Sequence, residues 1–200
     1  MSKTICVYCS SSDAIDRVYF AAAVEVGREM AARGWSLVYG GGNVGLMGAL
    51  AEAVHGAGGR VVGVIPRTLA EKGLAYADAE EMIITRDLRE RKATMEARAD
   101  AFIALPGGFG TLEELVEIVT LKQLSFHSKA MVLLNTAGFY DGLLQVFERM
   151  YTLQFAKPVY RKLYHVAATP AAALHHISAY QPPVLDEKWY GPPDRAGLEA

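Results

Sequence analysis

Short uncharged apolar runs recur along this chain. Most are followed by a longer stretch whose apolar residues fall three and four apart. The runs at 5–9, 36–39, 60–65, 81–85, 101–105, 130–134 and 163–166 read as strands. The run 101–105, Ala-Phe-Ile-Ala-Leu, carries no polar residue, as a parallel strand buried on both faces requires. The stretches to about Arg33 and at 46–57, 88–99, 112–124, 140–151 and 169–179 read as helices. Phe20, Val24, Gly27 and Ala31 mark the inward face of the first. Leu88, Met95 and Ala99 mark that of the third. Leu112, Leu115, Val116 and Val119 mark that of the fourth. Asp13 or Asp16 is placed to cap the first helix, and Gly34 to end it. Asp87 with Glu90 three residues on predicts a capped start near Leu88. Residues 67–80 predict a short helix or loop over the site. The alternation predicts an α/β fold, a Rossmann-like open parallel sheet with helices on both faces. Residues 1–180 form one nucleotide-binding domain in this reading. Residues 181–200, broken by Pro182-Pro183 and Pro192-Pro193, form an extended or disordered tail.

Two glycine loops interrupt the pattern where a strand ends and a helix begins. Pro106-Gly107-Gly108-Phe109-Gly110-Thr111 follows the strand at 101–105, and Gly40-Gly41-Gly42-Asn43-Val44-Gly45 follows the strand at 36–39. Strand, glycine loop and helix start aim unpaired N–H groups and the positive helix end at one point, a natural place for phosphate. In an open parallel sheet both loops lie beyond the carboxyl ends of the strands, so they can share one crevice. Gly40-x-Gly42-x-x-Gly45 matches the dinucleotide fingerprint, but the following strand ends in Pro66-Arg67 and lacks the acid that holds a ribose. Dinucleotide binding is therefore set aside for a smaller ligand.

The charged residues add candidate chemistry. Glu113 and Glu114 stand beside the second glycine loop, about 100° apart around the helix, so either could face the ligand. Arg91 and Lys92 are spaced from Leu88 and Met95 so that at least one cation lies along a buried stripe, as a snorkelling side chain or in an ion pair. Cys6 and Cys9 lie three apart on a strand, where a redox or zinc pair is not built, and read as core or near-site thiols. The five histidines show no ligand spacing, so no metal is expected.

Two hundred residues, 52% hydrophobic and 21% charged, suit one globular domain. A net charge of −2 argues against nucleic acid. No run approaches the roughly 18 apolar residues of a membrane span. The chain enters a strand at once without a signal-peptide layout, so the expectation is cytoplasmic with no membrane partner. The helix at 112–124 is apolar over most of its circumference, with Ile118 and Leu121 outside the main stripe, which predicts a homodimer or deep packing.

Residues 106–114, Pro-Gly-Gly-Phe-Gly-Thr-Leu-Glu-Glu, resemble the PGGxGTxxE signature of the LOG family. Its members are cytokinin-activating nucleoside 5′-monophosphate phosphoribohydrolases. The resemblance extends to Cys6-Val-Tyr-Cys-Ser-Ser11, to residues 39–48, to Gly63-Val-Ile-Pro66, and to Arg91-Lys92 with Met95. It implies hydrolysis of the N-glycosidic bond of AMP or an N6-modified, prenylated AMP, releasing purine base and ribose 5-phosphate without a cofactor. Position by position it implies Arg91 and Glu114 as catalytic residues. It implies Lys92, Gly107, Gly108, Phe109, Gly110, Thr111, Leu112, Glu113, Thr120, Gly41, Gly42 and Met95 as substrate-binding. It also favours a homodimer. Where many relatives carry a further site glutamate, this chain has Gly73, with Glu71 the nearest acid. Members have also carried a lysine decarboxylase label, but that chemistry calls for pyridoxal phosphate on a lysine. The alternative is a non-catalytic nucleotide- or cofactor-binding module of the same fold, such as a molybdenum-cofactor carrier-like protein.

Overall fold

The computed structural model describes residues 2–184, and the last sixteen residues of the expected tail lie outside it. Seven strands form one wholly parallel sheet in the order β4-β3-β2-β1-β5-β6-β7. They are β1 (Thr4–Tyr8), β2 (Ser36–Tyr39), β3 (Val61–Pro66), β4 (Glu81–Thr85), β5 (Ala101–Ala104), β6 (Ala130–Leu134) and β7 (His165–Ala167). The last sits two residues later than the pattern predicts. Between them run α1 (Arg17–Ala32), α2 (Gly45–Gly56), α3 (Arg67–Ala70), α4 (Leu88–Arg98), α5 (Phe109–Gln123), α6 (Asp141–Thr152) and α7 (Pro170–Ala179). Among the described residues no helix is long and apolar enough to cross a membrane.

The period-two alternation of the strands divides the core in two. Ile5, Val7, Leu37, Tyr39 and Ile103 pack on one face of the sheet with residues of α1, α2 and α7. Cys6, Tyr8, Val38, Phe102 and Ala104 pack on the other with α4 and α5. Strands buried on both faces need helices on both faces, which is why these runs lack polar residues. The strand order reverses around β1, between β2 on one side and β5 on the other. That switch point is where such sheets open a ligand crevice.

Helix boundaries follow the caps. Asp16 accepts from the Val18 N–H and starts α1, and Gly34 ends it at φ +66°. Asp87 accepts from the Arg89 and Glu90 N–H groups. Glu90 accepts from the Arg86 N–H, one residue beyond the Asp87 N–H of the expected capping box. Two predicted faces are shifted, and a third loses only its first residue. The buried residues of α1 are Ala22, Ala23, Val26, Gly27 and Met30, so of the expected set only Gly27 is fully buried. Leu88 is 57% exposed at the free first turn of α4, while Met95 and Ala99 are buried as expected. On α5 the buried stripe is Thr111, Glu114, Leu115, Ile118 and Lys122, and Val116 is exposed. Polar residues complete that stripe, so an apolar count centres it wrongly.

The first glycine loop is locked to the strand beside it. Gly45 has φ +58°, and a Cβ there would lie 2.5 Å from the Ser11 carbonyl carbon. Both the left-handed backbone and the contact require glycine. Gly45→Ala should therefore lower the unfolding free energy by about 2 kcal/mol or more. Urea denaturation would measure it, and an unchanged midpoint would refute the packing described.

Candidate active site

A cleft of about 520 Å³ lies at the switch point. Its walls are the Cys9–Ser12 turn after β1, Gly40 and Gly42 after β2, and Gly108–Thr111 at the start of α5. The two glycine loops do share one crevice. Arg91 and Glu114 line it, with Met47, Ile65, Leu69 and Leu74 as apolar wall.

The two helix starts differ in what satisfies them. The Gly45 N–H of α2 donates to Asp13 Oδ1 at 2.9 Å, and the Leu46 N–H donates to the Ser10 carbonyl at 2.9 Å. That end is closed by the chain, which explains why the fingerprint loop offers no pyrophosphate cradle. Asp13, a candidate cap for α1, serves α2 instead. The start of α5 is open. Gly108 is its N-cap and makes no side-chain cap bond, and the first N–H to bond back is that of Leu112, to the Gly108 carbonyl. The N–H groups of Phe109, Gly110 and Thr111 therefore have no i−4 partner within the helix. The helix begins three residues before the predicted start. Glu113 and Glu114 consequently sit in its second turn, not at the dipole.

Glu114 is 7% exposed and Glu113 is exposed, which resolves the choice left open by the sequence. With Phe109 as first residue, Glu114 falls one turn below Thr111 on the buried stripe. Arg91 Nη1 donates to Glu114 Oε1 at 2.8 Å, and Arg91 Nε donates to the Val64 carbonyl at 3.0 Å. The guanidinium rests against Gly40, where a Cβ would be 1.9 Å from Nη2. Of the two readings of the buried cation, the ion pair holds. Burial pushes the Glu114 carboxyl above the ordinary glutamate range, and the Arg91 charge opposes that shift.

Other expected residues are placed differently. Lys92 pairs with Glu113, and with Glu117 at 2.9 Å, beside the crevice rather than in it. Phe109 is 92% exposed at the rim. Gly41 turns at φ +73° toward β3, behind Gly42. Gly107 lies under the Thr111 side chain. Met95 is fully buried in the core, and Leu112 packs against that same core. Thr120 donates to the Val116 carbonyl and lines a separate groove against α6. These last three do not line the crevice. Glu71 does not line it either. Cys9 lines it and Cys6 is core; burial pushes both thiols up. Ser10–Ser12 also line it, and their position after β1 at the carboxyl edge of the sheet is the signal in the sequence.

A family model described as "Possible lysine decarboxylase" matches residues 47–177. A probable cytokinin riboside 5′-monophosphate phosphoribohydrolase of Oryza sativa subsp. japonica is 44% identical over 180 residues, 90% of this chain and 72% of the relative. A cytokinin riboside 5′-monophosphate phosphoribohydrolase of Arabidopsis thaliana is 43% identical over 180 residues, 90% of this chain and 79% of the relative. This chain belongs to the LOG family. Solved structures share its fold at lower identity. The molybdenum cofactor binding protein of Rippkaea orientalis matches with TM-score 0.69 and 22% identity, over 90% of this chain and 97% of that one. The molybdenum cofactor carrier protein of Chlamydomonas reinhardtii matches at 0.66 and 22%, over 89% and 97%. As a LOG-family site, the crevice does not fit pyridoxal phosphate. No lysine is among its lining residues, and the nearby Lys92 is held by two glutamates.

The raised Glu114 pKa has a signed consequence. Above the ordinary glutamate range the native state holds a proton that the unfolded chain has released. Stability from this group is therefore greatest at low pH and falls as pH rises through that window. Arg91→Ala removes the opposing charge and should widen the window upward. Urea unfolding against pH, with Glu114→Gln as the non-titrating reference, would measure it. An Arg91→Ala profile that parallels the reference would refute the electrostatic assignment.

Proposed function

We propose that this protein hydrolyses the N-glycosidic bond of an AMP-like nucleoside 5′-monophosphate, plain or N6-modified, yielding purine base and ribose 5-phosphate. The observation that carries this reading is a buried carboxylate one helical turn below an open helix start, inside the same crevice. The α5 amides and the Thr111 hydroxyl accept the 5′-phosphate, and the ribose then lies over Glu114. Departure of the base builds positive charge on the sugar, and the carboxylate stabilises it and orients the attacking water. The C1′–N bond breaks, water oxygen bonds to C1′, and one water proton ends on the base. Arg91 has no proton to give readily, so it is not a general acid. It keeps Glu114 ionised in a dry setting and can clamp phosphate or ribose. Met47, Leu69 and Leu74 offer the purine an apolar wall.

Glu114→Gln should cut turnover of AMP or N6-isopentenyl-AMP at least about 100-fold with the fold intact. Adenosine should be a far poorer substrate than AMP. In the parent, kcat/KM should fall as pH drops, with its midpoint above the ordinary glutamate value of about 4.3, because activity needs the ionised form. Free base and ribose 5-phosphate are the readouts. Near-parental turnover by Glu114→Gln, or equal rates on adenosine and AMP, would overturn the reading.

Copies of this chain pair, in our reading, through α5 and α6. Of α6 only Tyr151 is fully buried, while Val146, Met150 and Leu153 are exposed. Of these, Met150 shares with the exposed Val116 of α5 the groove that holds Thr120. A patch of this kind on a small domain favours burial against a second copy. Sedimentation should show a dimer at micromolar concentration that Val146→Glu with Met150→Glu dissociates. A monomeric parent would reject it.

A further inference from the structure

A second cavity, of about 620 Å³, opens at the opposite end of the sheet. It lies beside the first residues of β6 and β7 and the last turns of α5 and α7. Among the described residues its polar lining includes Lys122, Lys162, His165, His175, His176 and Tyr180, with Tyr164 and Gln181 neutral beside them. Among the described residues no carboxylate lines it. Lys122 is 2% exposed, an unusual place for an ammonium. Its Nζ donates to the Leu163 carbonyl at 2.9 Å and sits 4.8 Å from the centre of the Tyr180 ring. Two of its three N–H groups remain for another acceptor. The Tyr180 hydroxyl is buried with no partner among the described residues. His165 and His176 stack face to face at 3.9 Å and 3°.

The structural explanation of Lys122 is that it offsets the carbonyl ends of α5 and α7. Those two ends carry about −0.5 elementary charge each, which one ammonium balances. Lys162 and the three imidazoles are then surplus. Burial, with no acid beside it, pushes Lys122 down to about 8. Burial also lowers His176, with His165, Lys122 and His175 adding repulsion. A buried ammonium and two half-buried stacked imidazoles around an orphaned hydroxyl form a site that suits one anion.

We propose that this cavity binds a small phosphate monoester or inorganic phosphate. The phosphoryl oxygens accept from Lys122, Tyr180 and the imidazoles at the inner end. Lys162 and His175 stand exposed at the mouth. Met131 and Ala179 provide apolar wall for an organic body. The cavity volume falls in the range of ordinary small-molecule sites. The proposal is independent of the reaction in the crevice, since α5 carries Glu114 near one end and Lys122 near the other.

NMR titration of the His165 and His176 ring resonances in the full-length protein tests it, with inorganic phosphate and ribose 5-phosphate as probes. Both probes should shift the ring resonances of the two histidines saturably and raise the His176 midpoint, with Kd at or below about 1 mM. Tighter binding of ribose 5-phosphate would identify the ester as the better ligand, and tighter inorganic phosphate the bare ion. Lys122→Met should weaken binding at least about tenfold. Glu114→Gln, which alters only the crevice, should leave these shifts intact. If Lys122→Met does not fold, Lys162→Gln with His175→Gln at the mouth should weaken binding severalfold. Ring resonances unmoved by tens of millimolar phosphate, or moved equally in these variants, would overturn the site.

Discussion

Two helices begin at the same crevice, and the chain satisfies only one of them. The start of α2 is occupied by the Asp13 carboxylate and the Ser10 carbonyl. The start of α5 has Gly108 as its cap and no side chain to accept its amides. An unsatisfied helix start at a ligand crevice is a preference for an anion held in the backbone itself. Much of the surrounding sequence follows from keeping it open. Glycine at 108 and 110 presents no side chain over the amides. The Ser10 N–H ties the turn after β1 to the Pro106 carbonyl, at 3.3 Å, so the two crevice walls hold one register. The strand order reverses at this same point, which leaves the space that a ligand needs.

Below that opening the protein buries an acid, which is costly. An unpaired carboxylate in the apolar interior would take up a proton before it tolerated the site. Arg91 opposes this without flooding the crevice with water, because its other donor is fixed on the Val64 carbonyl and its plane rests against Gly40. A lysine in its place would offer a point charge, and could not bridge carboxylate and carbonyl in one rigid fork. Lys92, next in sequence, takes Glu113 and Glu117 on the outer side of α5. Two cations from α4 thus hold the rotation of α5, and the rotation decides which glutamate faces inward.

The strands were legible because burial on both faces leaves only apolar residues to write them with. The sheet class and the shared crevice followed from that. The start of α5 was less so. Phe109, Gly110 and Thr111 have poor helix propensity and read as loop, yet a first turn needs no inward N–H bonds and tolerates them. The choice between Glu113 and Glu114 turned on those three residues, so the pattern left it open, and only the PGGxGTxxE likeness pointed to Glu114. Met95 and Thr120, which the likeness assigns to substrate, stand outside the crevice of this single chain. One is core beneath the site, and the other lines a groove on a different face of α5. The exposed face of α6 was illegible for another reason. Periodicity shows that a helix has an apolar side, not what covers it.

The carriers of molybdenum cofactor share the sheet at 22% identity, and a sheet does not specify an activity. What separates cutting from carrying is whether a negative group beside a bound anion is tolerable. At a separation on the order of 6 Å and an effective dielectric of 20, two unit charges of like sign repel by about 3 kcal/mol. A protein that only held a phosphate would bind it better with glutamine at position 114. Arg91 offsets part of that repulsion, but a buried arginine alone would have served the anion more directly. The carboxylate is useful only when a neighbouring atom turns positive, and in a nucleoside monophosphate that atom is the anomeric carbon as its base departs. Burying a carboxylate beside the anion at the expense of ground-state affinity is the arrangement expected of a site fitted to a cationic sugar rather than to the intact nucleotide.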